Sequence, residues 1–510
     1  MSDSYSVFQL ITGGVVGFFL FSTFLRAQLR SFKLPHIPTI GPNGFLSSYL
    51  GGFQFVSHAR KLIQEGYERY HGKAFKIRLP DQGWAVIVSG EKMVNEIKRA
   101  SDDYLSSHEA SRELFQTDYT LTKAANTNWY HFDVVRTTLT QKMDETFPDV
   151  RDEMIAAFDD EIPVSEDWVT YPALNTILRV VCRTTNRTFV GTPLCREPDY
   201  VNLNIEYTVD TFKLGAVVNL FPTILQPIVG HALSPLPRAF KRASKHLGPV
   251  IKARLEKEDQ YGSDWEGRPN DLISWFLDRN LQGELRTVDD LIVRVLNLNI
   301  ASIHATSMAF TSNLYHLAIQ PPSVVSLLRK EAESAIEEHG WSKLAMGKMR
   351  RMDSFMKEVA RMTGTPAMGV IRKVMKDFTF SDGTIIPAGV LIGVPAFAVQ
   401  CDEHHYDSPD EFKPFRFYDM WANGTSNIGE GVKYQMATPD SEYFFFGAGK
   451  HACPGRFFAV NELKALFAHT LLTYDIKLEG DSKVLPKPVW FNRDIGPNRE
   501  AKLVFRKRLK

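Results

Sequence analysis

The stretch that most constrains the fold of this chain is residues 446–455, which has the sequence Phe-Gly-Ala-Gly-Lys-His-Ala-Cys-Pro-Gly. Glycines in such a run allow tight turns and the close approach of a flat ligand. Cys453 precedes residues 456–472, whose apolar spacing predicts a helix. The start of a helix favours the thiolate form of a cysteine, which suits a metal ligand. The alternative is a buried structural cysteine. The glycines are Gly447, Gly449 and Gly455.

Length and composition describe a large globular protein. The chain has 510 residues, about three times an ordinary domain, which predicts several domains or one large helix-rich unit. A formal net charge of +1 gives no reason to expect a nucleic acid partner. The four cysteines are scattered without zinc-type pairs, which fits a reducing compartment better than a disulfide scaffold.

The N-terminus carries an apolar segment, residues 7–25, that contains no charged side chain. Its length is just enough for a helix to cross a hydrocarbon core of about 30 Å. Positive charges follow the segment, at Arg26, Arg30 and Lys33, whereas a cleaved signal peptide has them before it. We therefore expect a membrane anchor at residues 1–33 with the rest of the chain in the cytosol. A surface helix or a buried core helix is the alternative.

The remaining residues predict a mainly helical body with a small β region. Helical spacing occurs at residues 58–71 and again at residues 128–141. Residues 75–79 and 84–88 are typical of a pair of β-strands joined by the turn at residues 80–83. Thr287 is a plausible N-cap for a helical pattern that continues to about Gln320. About thirty residues at 1.5 Å each span roughly 45 Å, so this helix must cross a whole domain.

Three segments predict connections rather than regular elements. The prolines of residues 34–42 favour extended, stiff backbone, as in a spacer between anchor and body. Residues 106–125 are polar and lack regular periodicity, which predicts a loop. Residues 217–236 are apolar and interrupted by prolines, which indicates a mobile connection, with ordinary core packing as the alternative.

The spacing Phe-x-x-Gly-x-(Arg/His)-x-Cys-x-Gly of residues 446–455 resembles the haem-binding loop of the cytochrome P450 family. Ordered resemblances also occur at residues 301–306, 358–361 and 414–417. The resemblance implies the P450 fold, mainly α with a small β region, behind an N-terminal transmembrane helix. It assigns residues 43–510 to the catalytic domain. Residues 106–125 would form the loop that closes over the substrate, and residues 217–236 would dip toward the bilayer.

The resemblance also implies roles for individual haem-site residues. Cys453 would be the axial ligand of haem iron, with Phe446 beside the sulfur. His451 stands where arginine is usual and could hydrogen-bond a haem propionate. Arg372 would pair with a propionate, since arginine binds carboxylates bidentately. Arg136 would reach another, although the family's Trp-x-x-x-Arg spacing is not met, and a solvated arginine is the alternative.

Other residues would shape the space and the core around the haem. Ala301 and Ala305, four residues apart on the long helix, would leave room above the haem. Glu358, Arg361 and Arg416 would form a buried, purely structural ion triad.

The long helix departs from the family pattern where oxygen is activated. His304 stands where an acid is usual, and Ala305 stands where the proton-relaying threonine is usual. Because oxygen cleavage requires protons, a relay is needed. We hypothesise that Thr306, Ser302, His304, water held by them or substrate hydroxyls supply it. The alternative for His304 is a hydrogen bond within the core.

These resemblances imply a fungal microsomal P450 monooxygenase of the endoplasmic reticulum membrane, similar to ent-kaurene oxidase-like members. It would use haem b, O₂ and NADPH-derived electrons to hydroxylate a bulky lipophilic substrate, such as a terpenoid or other secondary metabolite. No glycine-rich dinucleotide loop follows a strand, so a separate NADPH-cytochrome P450 reductase is expected, with cytochrome b5 as a further candidate donor. The alternatives are a haem-thiolate isomerase or dehydratase acting on peroxides, and a non-catalytic haem protein.

Overall fold

A computed structural model describes residues 34–44, 47–80, 83–221, 223–424 and 430–509. The anchor expected at residues 1–33 lies outside these ranges. Within them, only Val288–Ala318 is long and apolar enough to cross a membrane, and 61% of its most apolar stretch is buried inside the protein. That burial makes it a core helix.

Most of the described chain is helical, as the apolar spacing predicts. A π-helical segment, Val135–Leu139, joins the fifth and sixth helices into one continuous rod. The helices are α1 (Ser47–Arg69), α2 (Glu91–Arg99), α3 (Ser107–Phe115), α4 (Lys123–Thr127), α5 (Tyr130–Val134), α6 (Thr140–Glu161), α7 (Ala173–Phe189), α8 (Pro198–Val218), α9 (Gln226–Leu233), α10 (Leu236–Tyr261), α11 (Leu272–Leu277), α12 (Val288–Ala318), α13 (Pro322–His339), α14 (Lys343–Lys348), α15 (Arg350–Thr363), α16 (Ala396–Gln400), α17 (Arg416–Gly424) and α18 (Arg456–Thr473).

The strands form small sheets beside the helical body. The largest has the order β1-β2-β8-β5-β3, with β1 and β2 paired as the predicted antiparallel hairpin and β2 parallel to β8. β4, β12 and β9 form a second sheet, and two hairpins complete the set. The strands are β1 (Ala74–Leu79), β2 (Gly83–Val88), β3 (Leu105–Ser106), β4 (Val169–Pro172), β5 (Gly369–Val374), β6 (Phe378–Thr379), β7 (Ile385–Ile386), β8 (Leu391–Val394), β9 (Tyr474–Leu478), β10 (Val489–Phe491), β11 (Asp494–Gly496) and β12 (Lys502–Lys507).

The proline-rich segment 34–42, predicted as a stiff spacer, packs against β1. Leu34, Ile37 and Ile40 are buried. The amide of Ile40 donates to the carbonyl of Lys76 at 3.0 Å, and the amide of Lys76 donates to the carbonyl of Pro38 at 2.8 Å. Extended backbone with prolines suits such an edge, because only some of its amides need partners.

The two other predicted connections contain helices. The prediction of a loop at residues 106–125 is wrong, because α3 lies within this segment and α4 begins in it. The Ser106 hydroxyl accepts the amide of Glu109 at 3.1 Å, an N-cap that stabilises α3 despite its polar sequence. Between Val218 and Leu236 the chain forms the short helix α9.

Helix α12 crosses the body as its length predicts. The Thr287 hydroxyl accepts the amide of Asp290 at 3.2 Å, so the predicted N-cap is present. Leu291 and Val295, near the N-terminus of α12, belong to one apolar cluster, whereas Phe310 and Leu314 belong to another. The middle of α12 therefore lies between two packed regions.

Candidate active site

The loop before α18 is closed by a backbone hydrogen bond and by left-handed glycines. The amide of Cys453 donates to the carbonyl of Phe446 at 2.8 Å. Gly447 and Gly449 have φ values of 76° and 63°, which side chains disfavour. A Cβ at Gly449 would lie 2.9 Å from the backbone oxygen of Lys98. These contacts fix the loop geometry that the glycine spacing predicts.

Gly455 contributes space instead of a turn. It is the N-cap of α18 with a φ of −88°, which any residue adopts. A Cβ there would approach the side chain of Val135 at 3.4 Å. The glycine therefore brings the start of α18 close to the neighbouring helix.

The Cys453 thiol is partly buried beside the start of α18. Burial raises its pKa, while the amides of Gly455 and Arg456 and the Arg456 charge act in the opposite direction. The donors expected from the sequence are present, yet desolvation outweighs them in the protein alone. A metal bound by the sulfur would reverse this balance, because a coordinating thiol is deprotonated outright.

A mainly apolar cavity of about 340 Å³ separates the Cys453 loop from the middle of α12. Ala301 and Ala305 line it, and both are exposed although most of α12 is buried. Small side chains at these two positions keep the cavity open, as the sequence predicts. Further lining residues include Phe132, Val135, Leu139, Leu298, Phe446 and Phe458.

Two of the three predicted proton-relay residues reach this cavity. Ser302 and Thr306 line it, and the Ser302 hydroxyl donates to the carbonyl of Leu298 at 2.8 Å. The described cavity lining does not include His304, whose ring lies 6.1 Å from that of Phe212. Nδ1 of His304 is buried and has no hydrogen-bond partner in the part of the chain that the structure describes, and burial lowers the pKa of the ring. Successive helical residues turn by about 100°, which separates His304 from Ala305.

Arg372 is a buried arginine without a carboxylate partner among the described residues. It lies on β5 and is 3% exposed. Its Nη1 donates to the carbonyl of Ile371 at 2.9 Å, but Nε and Nη2 have no partner. Burial lowers its pKa to about 10. A buried charge in this state fits an anionic group that the protein chain does not itself provide.

His451 lies close to Arg372 but contacts a protein carboxylate. Its Nε2 is 2.7 Å from Oδ1 of Asp102. Burial and the charge of Arg372 lower the pKa of His451, whereas Asp102 opposes this shift. The approach to Asp102 is an electrostatic contact, because Nε2 of His451 forms no hydrogen bond with any described residue.

Arg136 is not brought to the cavity. Its side chain is 51% exposed and lies 3.6 Å from Asp133. The same helical rod presents the apolar side chains of Phe132, Val135 and Leu139 to the cavity instead. The structure thus shows the solvated arginine that was the sequence alternative.

Glu358, Arg361 and Arg416 form a buried ion triad. Oε2 of Glu358 is 2.8 Å from Nε of Arg361, and Oε1 is 3.0 Å from Nε of Arg416. Other nitrogen atoms of the two guanidinium groups donate to backbone carbonyls, including those of Gln400 and Pro409. These ion pairs and hydrogen bonds offset the free-energy cost of burying the three charges.

Sequence reasoning missed two residues near the site. Oε1 of Gln400 accepts the amide of Phe444 at 2.7 Å, and its Nε2 donates to the carbonyl of Arg361, so it joins the triad to the cysteine loop. Glu462 lines the cavity as a buried carboxyl. Its only sequence signal is an acid within the apolar spacing of the predicted helix 456–472.

The site matches the requirements of a haem-thiolate protein. One partly buried cysteine on a glycine-rich loop faces small residues of a long helix across an apolar cavity. Arg372, which lies on β5 outside the described lining of this cavity, is buried without a carboxylate partner among the described residues. Within the described ranges, no three His, Cys, Asp or Glu side chains are placed to hold a metal together. A haem needs only the single thiolate from the protein.

Comparison with known proteins identifies the family. The family model described as cytochrome P450 matches residues 42–498, so the chain belongs to the cytochrome P450 family. Cytochrome P450 monooxygenase 110 of Postia placenta is 40% identical over 93% of this chain and 94% of its own. Monooxygenase 151 of the same fungus is 39% identical over 100% of both chains. Cytochrome P450 monooxygenase CYP512U6 of Ganoderma lucidum is 32% identical over 89% and 90%.

Family membership establishes the type of chemistry. The chain is a haem-thiolate monooxygenase, an enzyme that uses haem, O₂ and an electron donor. Members of the family generally work with a redox partner reductase.

Proposed function

We propose that this monooxygenase is anchored in the endoplasmic reticulum membrane, receives electrons from NADPH through a separate flavoprotein reductase, and hydroxylates a bulky lipophilic substrate of terpenoid type. The observation that carries the proposal is the apolar cavity between Cys453 and the two alanines of α12. Cytochrome b5 is a second candidate donor. The sequence supports a separate reductase, because it contains no glycine-rich dinucleotide loop after a strand.

Four residues would hold the haem in this proposal. Cys453 would bind the iron, with Phe446 beside the sulfur. Arg372 would pair with a propionate, which supplies the missing partner of its buried guanidinium. His451 would contribute a further polar contact to a haem propionate. When bound, the haem supplies the activation of dioxygen, and the protein supplies orientation.

The substrate would bind above the haem, against the apolar wall of the cavity. Ala301 and Ala305 leave space there, and Phe132 and Leu298 provide apolar contact. Hydrophobic contacts with few polar groups suit a terpenoid skeleton. The hydroxyls of Ser302 and Thr306 would be available to position water or a substrate hydroxyl.

Exposed apolar side chains support the proposed membrane attachment. Leu220 and Ile228 are 62% and 69% exposed in and beside α9, and Leu50 and Phe53 on α1 are similarly exposed. Side chains of this kind favour contact with lipid when an anchor holds the body at a membrane. The anchor itself, residues 7–25, remains a prediction from sequence.

The CO-difference spectrum of the dithionite-reduced protein in membranes tests the cofactor assignment, with Cys453→Ser as the paired variant. We expect a strongly red-shifted Soret band in the wild type and its loss in the variant. Retention of the shifted band in Cys453→Ser, or a band typical of histidine ligation in the wild type, would reject Cys453 as the ligand. Cys401→Ser, at a partly exposed cysteine outside the cavity lining, is the matched control.

The alanine at position 305 favours a second candidate. An isomerase or dehydratase acting on organic peroxides needs neither O₂ nor a reductase, so it needs no proton relay for oxygen cleavage. Substrate turnover that persists without NADPH and O₂ would identify this activity. Strict dependence on both would reject it.

A further inference from the structure

A buried histidine joins α5 to α12 beside the cavity. His131 is completely buried, and its Nδ1 lies 2.8 Å from Nη1 of Arg294, an equally buried side chain of α12. The charge of Arg294 is compensated, because its Nε donates to Oδ2 of Asp290 at 2.6 Å. Burial and the charge of Arg294 lower the pKa of His131 to about 3, so its ring is neutral at physiological pH.

The second nitrogen of the same ring is also held. Nε2 of His131 lies 2.9 Å from the side-chain amide of Asn297 on α12. A neutral imidazole has one donor and one acceptor, and a guanidinium can only donate, so Nδ1 accepts from Arg294 and Nε2 carries the proton. The Asn297 amide therefore presents its oxygen to Nε2, since a half-turn exchanges the amide oxygen and nitrogen. Contacts on both sides of the ring fix its orientation.

The backbone on either side of this contact is fixed by the same arginine. Nη1 of Arg294 also donates to the carbonyl of Asn128 at 2.7 Å, and the guanidinium carbon lies 4.0 Å from the centre of the Tyr130 ring. A shift of α5 along α12 would separate a buried charge from these partners, which is costly. The position of His131 relative to α12 is therefore set by several buried contacts.

One face of the His131 ring supports a wall of the cavity. The ring of Phe132 lines the cavity, and its centroid lies 4.3 Å from that of the imidazole. Leu298, which follows Asn297 on α12, lines the cavity as well. His131 is not itself among the described lining residues. The imidazole therefore lies behind the wall and connects the elements that carry its two apolar side chains.

We propose that His131 is a positioning residue that fixes the Phe132 ring and thereby determines which bulky substrates the cavity accepts. This inference rests on the proposed binding of a bulky lipophilic substrate against that wall. A side chain at a binding site keeps one rotamer only when its own neighbours hold it. Without the imidazole the Phe132 ring is free to move, and a ligand that contacts it must bear the entropy cost of ordering it. A ligand too small to reach Phe132 bears no such cost.

Two iron-binding probes of different size test the proposal on the full-length, haem-loaded protein in membranes. Imidazole occupies only the position at the iron, whereas 1-tritylimidazole carries three phenyl rings on the same heterocycle. Both shift the Soret band on binding, so spectral titration measures both dissociation constants. His131→Asn keeps an acceptor for Arg294 but has no ring behind Phe132. We expect it to bind 1-tritylimidazole about fivefold more weakly than the wild type, with the imidazole affinity and the CO-difference spectrum unchanged.

Combined variants test whether His131 acts through the neighbouring ring. In a Phe132→Ala background the addition of His131→Asn should cause no further loss of 1-tritylimidazole affinity, because the ring to be positioned is absent. His469→Asn is the matched control, since His469 is also a buried histidine with a lowered pKa but lies outside the described cavity lining. It should leave both affinities unchanged.

Several results would overturn the inference. Equal affinity of the wild type and haem-loaded His131→Asn for 1-tritylimidazole would do so, as would an equal loss for both probes or additive effects at positions 131 and 132. If His131→Asn does not retain haem, Asn297→Ala replaces it, because it releases Nε2 and leaves the contact with Arg294. Unchanged 1-tritylimidazole affinity in Asn297→Ala then refutes the proposal. A wild type that binds 1-tritylimidazole no more tightly than imidazole would instead refute the proposed bulky-substrate site itself.

Discussion

Arg372 should affect stability with opposite signs in the haem-free and haem-loaded protein. Its guanidinium is buried, and two of its nitrogen atoms have no hydrogen-bond partner among the described residues. The folded pKa of about 10 lies below the ordinary value of 12.5. Each tenfold change in proton affinity corresponds to about 1.4 kcal/mol, so the charged form costs the fold about 3 kcal/mol. At pH 7, below both values, this whole cost is present.

Arg372→Met removes the charge while keeping much of the side-chain volume. We expect the haem-free variant to unfold with a free energy up to about 3 kcal/mol higher than that of the wild type, reduced by any packing defect. In the haem-loaded protein the arginine gains a propionate partner, so the same substitution should lower stability and weaken haem affinity about tenfold or more. Denaturant unfolding of both forms and haem titration of the haem-free protein measure these effects.

Arg136→Met is the control, because that side chain is half exposed and pairs only with Asp133. Exposed ion pairs contribute about 0–1 kcal/mol, so neither form should change appreciably. The reasoning is refuted if Arg372→Met destabilises both forms equally, or if haem affinity is the same in Arg372→Met and the wild type.

Three further outcomes follow from other contacts. Glu358→Gln should lower the free energy of unfolding by about 3–5 kcal/mol, because it leaves two buried arginines without their carboxylate. Denaturant unfolding measures this loss, and a loss below about 1 kcal/mol would contradict the prediction. Gly449→Ala should reduce thermal stability and haem content more than Gly480→Ala. Both glycines have a positive φ, but only at Gly449 would an added Cβ collide with backbone, namely that of Lys98. Equal effects of the two substitutions would argue against the close approach. His469 is buried, and its pKa is lowered from 6.5 to about 4. As the pH falls below 6.5, this histidine takes up a proton in the unfolded chain before it does so in the folded protein, so the free energy of unfolding decreases until the pH reaches about 4. Between pH 7 and pH 5 the wild type should lose about 2 kcal/mol more than His469→Leu in unfolding free energy, and equal losses would reject the assignment.

The sequence anticipated the elements whose cause is local. The glycines and the cysteine of residues 446–455, the N-cap Thr287 and the hairpin of β1 and β2 all act through neighbouring residues, and the structure contains each of them. The helical pattern of residues 288–318 was also visible, because apolar spacing and a flanking proline pair mark its course and its end.

Local signals failed where a distant contact decides. Residues 34–42 have the composition of a spacer, and only the structure shows that Leu34 and Ile40 are buried and that the segment pairs with β1. Residues 106–125 are polar, yet they contain α3 and the start of α4, and α3 is stabilised by an N-cap and by one buried side chain, that of Ala110.

Within the site, sequence determined which residue types are available, and tertiary structure determined which of them meet. A spacing of one residue on α12 separates Ala305, which faces the cavity, from His304, which does not. The sequence around Arg372 and Arg136 does not distinguish their environments. In the structure, Arg372 is buried without a carboxylate partner among the described residues, whereas Arg136 is exposed to solvent. The same holds for Glu462, whose proton is retained because helices distant in sequence exclude water from its carboxyl. Desolvation and pairing depend on the whole packed protein, so only the tertiary structure could decide them.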